Sequence, residues 1–165
     1  KGDGCGISSA GPGYKVNPLA SMMATPSETI SNKIALSEGP EHEVKMLNSG
    51  ADGIMVFEPA VIKISKGDTV NFRAVDMSHN SASLEGMIPD GAESWNGALS
   101  QDISITFTEE GVYVYQCTPH AMMAMVGVIQ VGEAVNLDSV KSQASQTKSV
   151  FISNTDRLDD YLSRL

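Results

Sequence analysis

The sequence predicts a mainly β protein: a two-sheet sandwich of seven to eight short strands, followed by two helices. Three observations carry that expectation. Between about residues 43 and 132, apolar residues alternate with polar ones at period two. Gly, Pro and Asp bound these runs at strand-length intervals, the pattern of a sandwich rather than of βαβ units. Beyond Gly132 the period lengthens to that of a helix.

The strands follow in order. Val61-Ile62-Lys63-Ile64 leads into the turn Lys66-Gly67-Asp68, after which Val70, Phe72 and Ala74 alternate with Asn71 and Arg73. Ile103, Ile105 and Phe107 alternate with Ser104 and Thr106, and Glu110-Gly111 makes the next turn. Tyr113, Tyr115 and Cys117 share one face of the following strand, which directs the cysteine inward. Val126 to Val131 closes the set. Leu137 and Val140 then predict a short helix that Asn136 can cap. Leu158, Tyr161, Leu162 and Leu165 form the i, i+3, i+4, i+7 stripe of a second helix, started near Asn154 or Thr155, with both helices covering a face or edge of the sandwich.

Three segments result. Residues 1–40 hold Gly11-Pro12-Gly13, Pro18, Pro26 and Pro40 with no sustained apolar period, and are expected to be a loosely packed extension, with Ile30, Ile34 and Leu36 able to form a short turn or strand. Residues 41–134 are the sandwich. Residues 135–165 are the helices of the same domain. At 165 residues and a net charge of −9, the chain is one domain without the basic stripe that nucleic acid or an anionic membrane needs. No stretch approaches the roughly 20 apolar residues of a membrane span. A charged n-region followed by an apolar h-region is also absent, so any export signal is expected either to have been removed or never to have been part of this sequence.

Residues 117–125 read Cys-Thr-Pro-His-Ala-Met-Met-Ala-Met, and His79-Asn80 lies upstream. The order His…Cys-x2-His-x4-Met is the donor set of a one-electron copper centre, trigonal His2Cys with a weak axial thioether. Thiolate and thioether suit Cu(I) and imidazole suits Cu(II), so the set points to electron carriage rather than bond-making. Each part alone is weak: Cys-x2-His is common, and a Met-rich run is ordinarily strand core. Their conjunction in one loop carries the reading. Structural zinc closes a set of four Cys and His, and Cys5, the one other cysteine, is remote. His42 has no partner at useful spacing and reads as a surface residue.

The chain resembles the pseudoazurins, small bacterial blue copper proteins of the cupredoxin family. The resemblance runs over roughly residues 41–165. It includes Glu43-Val44-Lys45-Met46-Leu47-Asn48, Met55-Val56-Phe57-Glu58-Pro59, Gly67-Asp68-Thr69-Val70, His79-Asn80, Met87-Ile88-Pro89-Asp90-Gly91-Ala92-Glu93 and Cys117-Thr118-Pro119-His120. Asn136-Leu137-Asp138-Ser139-Val140-Lys141 and Arg157-Leu158-Asp159 resemble the family's two C-terminal helices. It implies a Greek-key β-sandwich with one type 1 copper per chain, held by His79, Cys117, His120 and Met125. Met122 and Met123 compete for the axial place, and the family spacing selects Met125. Asn80 is expected to tie the two donor loops together and to hydrogen-bond the thiolate, while Pro119 stiffens its loop. The resemblance further implies a monomeric periplasmic electron carrier, not an enzyme. Such a carrier docks transiently at apolar residues around His120 (Met55, Ile88, Pro89, Pro119, Ala121 and Met123) and serves partners such as a copper nitrite reductase. A copper delivery or storage protein, and a cupredoxin domain of a larger copper enzyme, are the alternatives; the first gains from the clustered methionines, while the second needs further histidines and only His42 is spare.

One departure bears on the partner. The chain has no Lys or Arg between Arg73 and Lys141, an interval holding Asp76, Glu85, Asp90, Glu93, Asp102, Glu109, Glu110, Glu133 and Asp138. Met77 and the Ser94-Trp95-Asn96-Gly97 stretch stand where pseudoazurins commonly carry lysine. An acidic docking face would select a basic partner.

Overall fold

Alternating strands bury one face each, so they must pair into sheets and the sheets must stack. The computed structural model, which describes residues 33–165, realises this with eight strands in two four-stranded sheets. Strands β1 (Glu41–Gly50), β2 (Gly53–Glu58), β4 (Thr69–Arg73) and β6 (Ile103–Thr106) form the first, in the order β2-β1-β4-β6. Strands β3 (Val61–Ile64), β8 (Val126–Val131), β7 (Gly111–Gln116) and β5 (Ala82–Ser83) form the second, in the order β3-β8-β7-β5. The pairs β1–β4 and β3–β8 run parallel and the others antiparallel, so the chain crosses between sheets rather than meandering within one.

Period two decides what each residue touches. Tyr113, Tyr115 and Cys117 point into the space between the sheets with Val44, Met46, Phe57, Phe72, Trp95 and Ile129. Val112, Val114, Val126 and Val128 point the other way. That second face is covered by helices α1 (Leu137–Thr147) and α2 (Arg157–Ser163), through Val140, Ala144, Leu158, Tyr161 and Leu162. Strands β7 and β8 are therefore buried on both faces, which is why Val112 to Tyr115 read as a continuous apolar run. Burying a side chain such as Leu158 contributes about 1.5–3 kcal/mol relative to leaving it in water.

Three local expectations are corrected. Asn136 stands at the N-cap of α1 but its side chain does not cap the helix. Its Oδ1 accepts from the Val112 N–H at 2.6 Å and its Nδ2 donates to the Val112 carbonyl at 2.9 Å, completing the edge of β7. The second helix begins at Arg157; Asn154 adopts a left-handed backbone (φ 55°) and its carbonyl accepts the Arg157 N–H. His42 is not a surface residue: its ring is 8 % exposed and meets Asp68 at 2.8 Å.

From the segment expected to be an extension, Ile34 donates its N–H to the Arg164 carbonyl, while Leu36 and Ser37 pair with Lys63. The remainder of that segment up to residue 32, with Cys5 and Ile30, lies outside the described residues.

Tyr115 faces Gly127 across the β7–β8 pair, and a Cβ at Gly127 would overlap the phenol ring. Tyr115 is fully buried, edge-on to Phe57 and Phe72, and has no room to retreat. Gly127→Ala should therefore destabilise the chain by about 1–3 kcal/mol through overpacking. A denaturant midpoint lowered at constant m-value would show this, and an unchanged midpoint would contradict it.

Candidate metal centre

Strand β7 ends at Gln116, and the next residue, Cys117, keeps the inward direction of Tyr113 and Tyr115. A short 3-10 turn over Thr118–Met123 follows, with Pro119 near its start fixing φ and supplying no N–H. The turn closes on itself: Met125 donates its N–H to the His120 carbonyl and Cys117 donates its N–H to the Met125 carbonyl. Ala124, at φ 58°, provides the left-handed step that lets the chain re-enter the sheet as β8.

The second arm is the segment before β5. Ser78 takes a left-handed backbone (φ 70°), and His79 follows, fully buried. Its Nδ1 lies 3.6 Å from the Cys117 sulfur, and Nδ1 of His120 lies 3.2 Å from the same sulfur. The three donor atoms all fall within 4.8 Å of one another. An ion bonded at about 2.0–2.3 Å to nitrogen and sulfur spreads its donors to roughly this separation. The donor chemistry fits one metal ion of the copper kind.

Two further groups set that geometry. Asn80 accepts the Thr118 N–H on Oδ1 at 2.7 Å, and its Nδ2 donates to Thr118 Oγ1 and to the Gly97 carbonyl. One carboxamide thus joins the His79 arm to the Cys117 loop. Asn48, on β1, accepts from His79 Nε2 at 2.7 Å, which leaves Nδ1 as the lone pair that faces the sulfur. Sequence reasoning gave Asn48 no role, because a strand-end asparagine carries no local sign of a partner 31 positions away.

Burial decides the protonation states. It pushes the His79 imidazole below its ordinary value, with the neighbouring His120 adding to the shift and Asp76 opposing it. It pushes the Cys117 thiol up, while hydrogen bonds from the Asn80 and His120 backbones pull the other way. The metal-free pocket therefore holds a neutral imidazole at His79 and a protonated thiol at Cys117 at neutral pH.

The three nearby methionines differ sharply. Met125 is wholly buried and packs in the same cluster as Cys117; Met122 is 56 % exposed and Met123 is 36 % exposed. Among residues expected around His120, Pro119 and Met123 are exposed and Ala121 is half-buried. Pro89 does not belong with them. It is buried against Gly111, where β7 begins, about 20 Å of strand from Cys117.

The family model "Copper binding proteins, plastocyanin/azurin family" matches residues 44–132. A pseudoazurin of Paracoccus pantotrophus is 44 % identical over 109 residues, covering 66 % of this chain and 75 % of the relative. One from Methylorubrum extorquens is 44 % identical over 103 residues, covering 62 % and 70 %. Among solved structures, the native pseudoazurin of Hyphomicrobium denitrificans superimposes with a TM-score of 0.69 at 36 % identity, over 76 % of this chain and 98 % of that one. The pseudoazurin of Methylobacterium extorquens AM1 gives 0.66 at 38 % identity, over 74 % and 97 %. With its β-sandwich, its paired C-terminal helices and its His79–Cys117–His120 triangle, the chain belongs to the plastocyanin/azurin family of copper-binding proteins and is of pseudoazurin type.

Proposed function

We infer that this chain is a blue copper electron carrier whose ion is held by His79, Cys117, His120 and Met125, and that it exchanges electrons through the His120 side of the site. The observation that carries the reading is the approach of one buried thiol and two imidazole nitrogens to within 4.8 Å of one another. Copper supplies the one-electron couple between Cu(I) and Cu(II) when bound there. The chain's part is to keep the donors where they are in both states. Asn48 holds the His79 ring and Asn80 holds the spacing between the loops; the β7 frame fixes Cys117.

The burial of Met125 supports it as the axial donor over Met122 and Met123, whose exposure suits contact with a partner instead. His79 is sealed, whereas His120 is half-buried and flanked by the exposed Pro119, so His120 is the port. A small apolar surface around such a port suits redox encounters, which bury little area and separate quickly.

The partner is basic. No Lys or Arg lies between residues 74 and 140, Arg73 is already paired with Glu43 and Asp102, and Asp76 places a negative charge close enough to His79 to oppose its pKa shift. A periplasmic location accords with the family resemblance. No described helix is long and apolar enough to cross a membrane.

Copper-loaded protein should be intensely coloured when oxidised, and Cys117→Ser should abolish the band. Met125→Gln should keep copper but lower the reduction potential, because oxygen stabilises Cu(II) more than a thioether does; Met122→Gln and Met123→Gln should shift it far less. A larger shift from either would move the axial donor to that residue.

Copper uptake must displace the Cys117 proton, since the thiolate is the ligand and burial raises the thiol's pKa. His79, held neutral, should contribute none. In weakly buffered solution at pH 7, loading with Cu(II) should release about one proton from this thiol per ion, and affinity should fall as pH falls. Uptake without proton release would contradict the assignment of Cys117.

Electron transfer to a basic redox protein should be fast at low ionic strength and slow about tenfold or more as salt is added. Met77→Lys, at a side chain 71 % exposed, should weaken that dependence. Stopped-flow rates that rise with salt for a basic partner would count against an acidic docking face.

A further inference from the structure

Arg157 is a charged side chain in a place where charge is costly. It is 8 % exposed and joins none of the ion pairs among the described residues, which involve His42, Arg73, Lys148 and Arg164. Backbone carbonyls surround it instead. Nη1 donates to Met55 at 3.0 Å, Ala124 at 3.2 Å and Met123 at 3.5 Å. Nη2 donates to Ile54 at 3.2 Å and Asp52 at 3.3 Å. A cation taken out of water persists only where such donors are satisfied, and the planar guanidinium fork can serve several carbonyls at once.

Those carbonyls come from two separate places. Asp52, Ile54 and Met55 belong to the β1–β2 turn and the start of β2; Met123 and Ala124 end the loop that carries Cys117, His120 and Met125. Met55 (φ 51°) and Ala124 (φ 58°) are non-glycine residues in the left-handed region, a conformation that persists only when surroundings fix it. Gly53, where a Cβ would sit 3.2 Å from Nη2, allows the turn its close approach. Helix α2, which starts at Arg157, is anchored beneath by Leu158, Tyr161 and Leu162, so the guanidinium is presented from a fixed base.

We propose that Arg157 is the positioning residue of the metal loop: it draws the Met123 and Ala124 carbonyls onto the guanidinium that also holds Met55, fixes the peptide leading into Met125, and so sets where the thioether lies relative to the His79–Cys117–His120 triangle. Met125 directly follows Ala124, and its own N–H is committed to the His120 carbonyl. A displacement of the Ala124 carbonyl therefore passes straight into the Met125 backbone. The spectroscopic consequence rests on the copper reading above; the consequence for the loop does not.

The test uses Arg157→Gln and Arg157→Lys in the full chain, with Arg164→Gln as the helix control, since Arg164 pairs with Asp160 and lies over Tyr161. In the metal-free protein, the Ala124 and Met125 amides should exchange about tenfold faster in Arg157→Gln, with Val44 and Phe72 unchanged. In the copper-loaded protein, the visible band and the reduction potential should shift. Arg157→Lys, which keeps the charge without the fork, should shift them less, and Arg164→Gln should leave them alone. Exchange that rises uniformly, or not at all, would make Arg157 a general staple and overturn the proposal. Faster local exchange with an unchanged spectrum would also overturn it, because the clamp would then not reach Met125. Should Arg157→Gln fail to fold, Arg157→Lys decides both arms. A parent protein with no intense band would refute the copper reading, and the metal-free exchange would still decide the role of Arg157.

Discussion

The Asn80 carboxamide extends the short β5–β7 pairing, Ala82 opposite Gln116, and ties the two donor-bearing stretches of chain together at the site. It accepts the Thr118 N–H at 2.7 Å and returns a donor to the Thr118 hydroxyl, while its second amide hydrogen goes to Gly97. His79 and Cys117 are the immediate neighbours of these two residues, so that one side chain, with the β5–β7 pairing beside it, holds the spacing of imidazole and sulfur. The bonds are part-buried, with Asn80 itself 4 % exposed and Thr118 open to solvent. His79 is then oriented from behind by Asn48, and Cys117 from below by the β7 pairing. The three donors are held by contacts within the protein itself.

That assembly has an electrostatic cost which the metal removes. Burial disfavours charge at both His79 and Cys117, keeping the pocket neutral while it is metal-free. A cation that exchanges with the thiol proton finds a formed site with little rearrangement left to make. The same principle governs Arg157, a charge sustained by carbonyls rather than by a carboxylate. Among the described residues, most buried polar side chains (His79, Asn80, Ser81 and Arg157) sit at the copper end or at its supports, with Asp68 and its partner His42 the exception.

Much of this was legible in the chain. The strands β3 and β8 fall where period two put them, because an apolar run bounded by turns has few other ways to bury itself. The donor set was legible because Cys117, His120 and Met125, three of its four expected members, lie in one short loop. What escaped were partners at a distance. Asn136 has the composition of a cap, yet an edge N–H and carbonyl of β7 claim both ends of its side chain. His42 looked solitary because Asp68 is brought beside it only by the parallel β1–β4 pairing. Pro89 lies within a motif shared with pseudoazurins, but its register beside Gly111 places it at the far end of the sandwich. Asn48 and Arg157 act through atoms far away in sequence, and nothing in their immediate neighbours announces it.

If the fold rather than the ion sets the donor positions, they should be the same with and without metal. Crystal structures of the metal-free, Cu(I) and Cu(II) forms test it most directly. The separations of the Cys117 sulfur from Nδ1 of His79 and of His120, 3.6 Å and 3.2 Å, should be kept within about 0.5 Å in all three at neutral pH. A metal-free structure in which the Asn80–Thr118 bonds are broken, or in which the triangle opens by well over that amount, would contradict it.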